Sequence, residues 1–498
     1  MSAGAPTSTG VKRLVDLVDR GPQDDYFFPS MTKETIFHRK WTPQQNAVPD
    51  IIELSYHGNA AWGNRIVIPI PRVGSGDLIQ WICLRIQPST WVPGDVEARL
   101  KDGTWDYQNK ERAWMWAASL GTIAIQQIEL MIGDTLIETW AGEWMDIWSR
   151  LWLDGGRSTV WDTDIYSQMA PQVIRDTGRP AWTTLQPTQD GYVYCYLPLA
   201  FLKRSATAFP IVALGGQDMR IHITLRPFHE VVRRRTVAKV SPVEVPLGES
   251  TVFMDNTGAT PIPYIYDMLT QIPAFRDATV LAGVVHLDEP LRSKVMREPH
   301  EIMYEPITYL KYDIADKLAN VAPGTPVDMQ IFLRELNGPI RELCWMIRRK
   351  DVWQFNEWTN YGRLSEQELI GTYGGNQAPL MTTARLSVGN AIWYEEPEQW
   401  WRTEYAVAHR GGVRAANGML YGFVFGGGAG WDAEDFQPAA TVNASRTTLR
   451  LDMTILAPNP TTSECTGLQT HGWEVHVFAT GINWLRCVNG LMAPLFSD

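Results

Sequence analysis

The strongest candidate for chemistry in this sequence is a segment in which carboxylates stand beside aromatic rings. It reads Glu395-Glu396-Pro397-Glu398-Gln399-Trp400-Trp401. Two carboxylates held at a set separation can cleave a glycosidic bond, and indole rings offer flat apolar surface to a sugar. Carboxylates adjacent in sequence rarely form such a catalytic pair. The segment therefore favours an exposed loop, with glycan binding as the alternative interpretation.

Other motifs with chemical potential are incomplete. His229-Glu230 lacks a second metal ligand at helical spacing, and Gly426-x-Gly428 lacks the third glycine of a dinucleotide site. Arg233-Arg234-Arg235 could bind a phosphate of a lipid or a genome, although a solvated end of a domain is the commoner outcome. The sequence has no HExxH, P-loop or GxSxG motif. It predicts no catalytic residue, no cofactor site and no metal site.

One acceptor sequence for glycosylation is present, at Asn443-Ala444-Ser445. Glycosylation requires a surface position and passage through the secretory route. The N-terminal residues are small and polar and do not resemble a signal peptide, and the motif directly precedes an alternating strand. A plain turn is the favoured interpretation, with a modified Asn443 as the alternative.

The elements that would position these groups follow a period of two. The segment Tyr194–Leu225 ends in a strand-like stretch. In it, Met219, Ile221, Ile223 and Leu225 alternate with polar residues. Such alternation is typical of antiparallel sheets with one buried and one solvated face. One clear helix interrupts the strands, in which Trp144, Trp148 and Leu151 share a helical face. The pattern predicts an all-β fold of sandwich or barrel type.

The composition and the strand patterns of the sequence divide the chain into two long β-rich blocks. A Pro-, Gly- and Ser-rich stretch separates them and reads as a linker or a long loop. We predict an N-terminal arm over residues 1–40, a first block over 41–235, a linker over 236–277 and a second block over 278–498. The two blocks could share one fold, but no sequence repeat shows it.

Composition narrows the function further. The chain has 498 residues, a net charge of −11, 22 tryptophans and five cysteines without a CxxC motif. The acidic balance argues against direct packing of nucleic acid. The cysteines stand mostly in apolar runs, which fits a reducing compartment such as the cytoplasm. The tryptophans suit thick sandwich cores and subunit interfaces, but also glycan-binding clefts.

Distinctive blocks occur along nearly the whole chain. They are Gly76-Asp77-Leu78-Ile79, Ile132-Gly133, Gly142-Glu143-Trp144-Met145-Asp146-Ile147-Trp148, Val285-His286-Leu287-Asp288-Glu289, Pro339-Ile340-Arg341-Glu342-Leu343-Cys344-Trp345, Gln437-Pro438, Asn443-Ala444-Ser445-Arg446 and Gly490-Leu491-Met492. In content and order they resemble the motifs of major capsid proteins of nucleocytoplasmic large DNA viruses. The motif residues that carry over are Gly142, Glu143, Trp144, Asp146, Trp148, Pro339, Glu342, Trp345, Gln437, Pro438, Asn443, Ser445 and Arg446.

The resemblance implies a double jelly roll, in which two consecutive eight-stranded sandwiches stand side by side with short helices and long loops. It implies a structural protein without catalysis or cofactor, which forms pseudo-hexagonal homotrimeric capsomers in the icosahedral shell of a large double-stranded DNA virus. The expected partners are neighbouring capsomers, penton and minor capsid proteins, and an inner viral membrane reached by the N-terminal arm. Assembly would occur in the host cytoplasm.

Two loops, Arg349–Asn376 and Glu395–Gly412, would form the outer tower of such a capsomer. The glycine-rich stretch Gly426–Gly430 departs from the charged turn of the family. Two alternatives stay open at this point. One is a minor capsid protein of the same fold, and the other is a Trp-rich β-sandwich that binds glycans.

Overall fold

Alternating and continuous apolar runs produce a structure built mainly of strands. In the computed structural model, the described residues are 47–88, 112–117, 120–152, 192–199, 208–240, 243–249, 253–254, 261–262, 274–318, 321–350, 356, 358–362, 379–407, 419–425, 441–457 and 472–496. The predicted N-terminal arm, residues Gly426–Gly430, Gln437 and Pro438 lie outside these ranges.

The strands of the first part are β1 Ala47–Leu54, β2 Arg65–Ile70, β3 Leu78–Pro88, β4 Arg112–Trp116, β5 Ile125–Ile132, β6 Thr135–Ala141, β7 Val193–Tyr196, β8 Phe209–Pro210, β9 Met219–Leu225, β10 Val232–Val240, β11 Val243–Glu249, β12 Phe253–Met254, β13 Pro261–Ile262 and β14 Phe275–Leu287. Those of the second part are β15 His300–Tyr304, β16 Ile307–Asp313, β17 Pro326–Leu333, β18 Pro339–Arg349, β19 Met381–Val388, β20 Ala391–Pro397, β21 Tyr421–Val424, β22 Val442–Asn443, β23 Leu449–Leu456, β24 Trp473–Gly481, β25 Asn483–Val488 and β26 Leu491–Pro494.

The helices are short. They are α1 Leu120–Ile123, α2 Gly142–Trp152, α3 Phe228–Val231, α4 Glu289–Arg297, α5 Ala315–Leu318 and α6 Glu398–Val407, with a 3₁₀ turn at Ile211–Ala213. Helix α2 is the helix that the tryptophan spacing predicted. None of the helices in the described ranges has the length and apolar character needed to span a membrane.

The first sandwich consists of two antiparallel sheets. One has the strand order β1-β14-β3-β7, with β8 paired to β3, and the other has the order β2-β9-β5-β6. Strand β9 shows why these layers form, since its residues alternate strictly between buried and partly exposed along Met219–Leu225. Its buried side chains belong to the hydrophobic core. The alternation predicted from the sequence is confirmed here.

The second sandwich repeats the same order of strands. Its sheets run β16-β24-β18-β21, with β22 paired to β18, and β17-β23-β19-β20. Counted along each half, both sandwiches place strands one, eight, three and six in one sheet and two, seven, four and five in the other. This connectivity is that of a jelly roll. The prediction of an all-β double jelly roll is confirmed, and the duplication invisible in the sequence is explicit in the strand pairing.

The pairing of strand β14 gives a different boundary between the two sandwiches from the one predicted at residue 278. It pairs with β1 from Ala47↔Leu287 to Leu54↔Val280 and with β3 from Phe275↔Pro88 to Val285↔Leu78. Residues 278–287, which the sequence analysis assigned to the second block, therefore complete the first sandwich. The apolar run alone could not reveal its partner, because pairing depends on strands some 200 residues earlier. We propose that the second sandwich starts after Leu287.

Two loop predictions also need correction. The predicted linker over 236–277 contains β11, β12 and β13 together with the end of β10, and β10 pairs with both β4 and β11. The expected loop Glu395–Gly412 begins with the end of β20 and continues as helix α6, in which Glu398 and Trp401 are buried. The exposed-loop prediction is wrong from Glu398 onward, where the chain forms a helix with one buried face, whereas Glu395 is exposed as predicted.

Candidate functional site at the junction between the two sandwiches

Helix α2 contacts both sandwiches, and its first residue lies close to the backbone of strand β5. At Gly142, where the helix starts, a Cβ atom would lie 2.1 Å from the carbonyl oxygen of Ile125, so no larger residue fits without a shift. Trp144 follows two residues later and is fully buried. Its ring contacts Trp140 edge-on with centroids 6.4 Å apart, and it packs on Phe478 of the second sandwich at 5.3 Å. The helix thereby carries an apolar contact from one sandwich to the other.

A charge cluster accompanies this contact. Oε1 of Glu143 lies 3.4 Å from Nη2 of Arg226 and 3.3 Å from Nη1 of Arg348, which belongs to strand β18 of the second sandwich. The Glu143 side chain is only 14% exposed. Burial would raise its pKa above the ordinary value of 4.5, but Arg226 and Arg348 outweigh burial and lower it to about 2. The carboxylate is therefore charged and joins cations from both sandwiches.

Asn356 and residues 358–361 extend the junction from the second sandwich to helices α2 and α3. The indole Nε1 of Trp358 donates to the Glu230 carbonyl oxygen at 2.8 Å, and the Arg226 guanidinium lies 4.1 Å above the Trp358 ring. The Tyr361 hydroxyl donates to Oδ2 of Asp146 at 2.7 Å. The described part of Arg349–Asn376 therefore contacts the first sandwich, and its place in an outer tower stays a prediction.

A second polar group lies on β24 beneath helix α2. The Tyr309 hydroxyl and Nδ1 of His476 are 2.7 Å apart, and Nε2 of His476 lies 3.2 Å from Oε2 of Glu474. Burial, aided by the nearby Arg348, lowers the pKa of His476 from 6.5 to about 4. Burial acts to raise the pKa of Glu474, but hydrogen bonds from His476 and Lys311 lower it to about 2. The imidazole is thus neutral at pH 7.

Acid should therefore loosen the junction in two steps. The folded pKa of His476 lies below its unfolded value, so protonation of the unfolded chain removes stability as the pH falls from 6.5 to 4, by on the order of 3 kcal/mol. The lowered pKa of Glu143 removes more between 4.5 and 2. We expect His476→Gln to flatten the first step and to weaken the second, because Glu474 loses a hydrogen bond that lowers its pKa, whereas the contribution of Glu143 stays. Urea unfolding from pH 7 to pH 3 measures both, and a wild-type stability unchanged between pH 7 and 4.5 would contradict this assignment.

The C-terminal hairpin β25–β26 also fastens the halves to each other. The backbone N–H groups of Gly215 and Gly216 donate to the Gly490 carbonyl oxygen at 2.9 and 3.2 Å. The Met492 N–H donates to Oε1 of Gln217 at 2.6 Å. At Gly490, with φ of +81°, a Cβ atom would come within 2.8 Å of Gly215 Cα. Glycine at both positions permits this approach of one backbone to another.

Among the other motif residues, Glu342 and Trp345 stabilise the second sandwich. Glu342 is fully buried and accepts a hydrogen bond from the Tyr405 hydroxyl at 3.0 Å. Trp345 packs edge-on against Trp401 with centroids 5.3 Å apart. Both contacts hold helix α6 against strand β18, which begins at Pro339. In the first sandwich, Trp148 lies half-buried against the core.

The Asn443 motif forms a turn that fixes the start of β18. Oδ1 of Asn443 accepts from the Ser445 N–H at 3.0 Å, and the Arg446 N–H donates to the Asn443 carbonyl oxygen at 3.2 Å. The Gly338 N–H donates to Oγ of Ser445 at 2.8 Å. The turn interpretation is confirmed, and glycosylation of Asn443 stays a prediction.

The carboxylate segment singled out in the sequence does not assemble a hydrolytic pair. Glu395 forms two hydrogen bonds with Arg385, of 3.0 and 2.7 Å, and Glu398 pairs with Arg402 at 2.8 Å. Trp401 is buried. Among the residues that the structure describes, no cluster of His, Cys, Asp or Glu could hold a metal ion.

The sequence motif included four residues of the junction, Gly142, Glu143, Trp144 and Asp146. It did not indicate the residues that they contact. The missed residues are Arg226, Arg348, Trp358, Tyr361 and His476. The available signal was a charged or polar residue inside an otherwise apolar strand, as in LCWMIRR and WEVHVF. Such residues must find partners once buried.

Comparisons with known proteins agree with this architecture. Residues 35–254 match the family model described as the major capsid protein N-terminus. The chain is 24% identical over 364 residues to the major capsid protein of Chrysochromulina ericina virus, and 24% over 360 residues to that of Phaeocystis pouchetii virus. Each match covers 67% of this chain, but the chain spans only 57% and 58% of the length of these relatives.

Solved structures share the fold over nearly the whole chain. The VP54 protein of PBCV-1 superposes with a TM-score of 0.63 at 16% identity, covering 93% of this chain and 100% of the other. The Faustovirus major capsid protein gives a TM-score of 0.59 at 9% identity, covering 95% and 96%. With its duplicated jelly roll and the match over residues 35–254, the chain is similar in sequence to major capsid proteins of large DNA viruses and shares their double jelly-roll fold.

Proposed function

We propose that this chain is the structural unit of an icosahedral viral shell and forms homotrimeric capsomers with a pseudo-hexagonal outline. The observation that carries the proposal is the identical strand order of the two sandwiches. Three chains with two similar sandwiches each provide six similar units around one axis, and a six-fold outline can tile a flat facet. The buried junction supports this role, because it fixes one sandwich against the other as a rigid pair.

In this proposal the protein is a structural subunit that acts through its contacts with other subunits and performs no catalysis. Its burial pattern suits that role, since large aromatic side chains such as Trp140, Trp345 and Trp473 fill the cores rather than line an open cleft. Its partners would be neighbouring capsomers, penton and minor capsid proteins, and an inner membrane approached by residues 1–40. With a net charge of −11, the chain is not expected to bind nucleic acid sequence-specifically. Assembly in the host cytoplasm, before incorporation in the virion, completes the proposal.

The native mass of the purified protein tests the proposal. We expect light scattering to give three times the chain mass of 56.3 kDa, unchanged on dilution, since obligate interfaces are large and apolar at their centre. Electron micrographs of that species should show a hexagonal outline. A stable monomer over the whole concentration range would contradict self-assembly into trimers.

A further inference from the structure

A small sheet stands apart from both sandwiches. Its strands lie in the order β15-β25-β26, and within the described ranges none of them pairs with a strand of either sandwich. Only Ile482 separates β25 from β24 of the second sandwich, and helix α4, which leads into β15, has no buried residue. A movement of this sheet therefore needs no change in the strand pairing of either sandwich. We call β15, β25 and β26 the clasp sheet.

The clasp sheet contacts the first sandwich at the turn Gly215–Gln217, which precedes β9. The carbonyl oxygen of Gly490 accepts hydrogen bonds from two backbone N–H groups of this turn, and the Met492 N–H donates to the side chain of its last residue. Beside them, Sγ of Cys487 lies 3.6 Å from the carbonyl oxygen of Ala213. Most of these groups belong to the backbone. The contact therefore depends on how closely the two stretches of backbone approach each other.

This approach leaves no room for a side chain at Gly490. A Cβ atom there would lie 2.8 Å from Cα and 2.9 Å from the backbone nitrogen of Gly215, and the φ angle is +81°. Gly324 has almost the same φ angle, +78°, but no atom lies within 4 Å of its Cβ position. Alanine at either position meets the same backbone strain, and only alanine at Gly490 also forces the two backbones apart.

The clasp sheet lies far from the other contact between the sandwiches, which helix α2 makes. Arg348, the partner of Glu143, stands opposite Glu474 at the start of β24, whereas the clasp sheet follows Gly481 at the end of that strand. From Glu474 to Gly481 the strand covers about 23 Å, at about 3.3 Å per residue. A single contact leaves two bodies free to turn about it. A second contact at this distance fixes the orientation of one sandwich relative to the other.

We propose that the clasp sheet is a conformational device, which closes on the turn Gly215–Gln217 and thereby sets the angle between the sandwiches that assembly requires. When the clasp sheet is open, each sandwich keeps its fold and the contact of helix α2, but the angle between the halves varies. A chain of variable shape cannot complete a ring, because a closed ring needs one fixed rotation between copies. The effect on assembly rests on the trimer proposed above, whereas the opening of the clasp sheet does not.

Alanine at Gly490, with alanine at Gly324 as the matched control, tests the proposal. We expect Gly490→Ala to speed amide hydrogen exchange in residues 212–218 and 484–496 by about tenfold or more, because the hydrogen bonds between these segments are lost. Gly324→Ala should exchange at the wild-type rate in both segments. In light scattering, Gly490→Ala should have the mass of one chain, whereas Gly324→Ala and the wild type should have that of three. Near-UV circular dichroism should be the same for all three proteins.

The outcomes separate the clasp sheet from the trimer itself. A folded Gly490→Ala that exchanges as slowly as Gly324→Ala would overturn the proposal, and so would faster exchange in a variant that still forms trimers. A monomeric wild type would overturn the trimer and the role in assembly, while the exchange rates would still decide whether the clasp sheet opens. If Gly490→Ala loses its near-UV signal, Gln217→Ala replaces it, since it removes the acceptor of the Met492 N–H. Wild-type exchange of residues 484–496 in that variant would count against the clasp sheet in the same way.

Discussion

Replacing Trp144 by alanine should cost about 3–5 kcal/mol of unfolding free energy, the range for a large aromatic side chain removed from a packed core. The ring is buried and lies between Trp140 of the first sandwich and Phe478 of the second. Its loss should also uncouple the sandwiches, because the cavity opens at their contact. We expect urea unfolding, followed by circular dichroism, to shift to lower denaturant and to separate into two transitions.

Trp345→Ala is the matched control for that experiment. Trp345 is as buried as Trp144, but its aromatic contacts, Trp401 and Tyr421, lie within the second sandwich. We expect a similar loss of free energy, but unfolding in one transition as in the wild type, because the contact of Trp144 with Phe478 is kept. If Trp144→Ala unfolded at the wild-type midpoint in one transition, the ring would not couple the two halves.

Replacing Arg348 by methionine should destabilise the junction by about 3–5 kcal/mol, as happens when one partner of a buried ion pair is removed. Glu143 would keep Arg226 but lose the cation supplied by the second sandwich. Because Arg348 also lowers the pKa of Glu143, the carboxyl should titrate at higher pH in the variant. Urea unfolding at pH 7 and pH 5 measures both effects, and the variant should lose less stability than the wild type on acidification, because without Arg348 the folded pKa values of Glu143 and His476 lie closer to their unfolded values.

A double-mutant cycle separates the pair from its surroundings. We expect Glu143→Gln combined with Arg348→Met to be more stable than Arg348→Met alone, since no buried carboxylate then stays with only one of its two cations. Arg385→Met provides the exposed comparison, because Arg385 pairs with Glu395 at the surface of β19 and β20. That change should cost less than about 1 kcal/mol. Equal losses for Arg348 and Arg385 would refute a special role of the buried cluster.

Local patterns in the sequence were sufficient for the elements that matter most to the fold. The alternation in β9 predicted a strand with one core face, and the tryptophan spacing in Gly142–Trp152 predicted a helix. Both signals are local, because the period of a strand or a helix sets which side chains share a face. The local pattern did not predict β20 and α6. Their adjacent carboxylates favoured an exposed loop, although Trp401 and Tyr405 stand at helical spacing and are buried.

Sequence alone determined that this chain is an all-β protein with two strand-rich blocks, and the order of its motifs resembles that of major capsid proteins of large DNA viruses. Tertiary structure decided which strands pair, that β14 belongs to the first sandwich, and that Arg226, Arg348 and His476 meet Glu143 and Tyr309 at one junction. The reason is physical. The period of apolar residues specifies which face of an element is buried, but not which element it packs against. Strand register and ion pairing are fixed by residues that lie far apart along the chain.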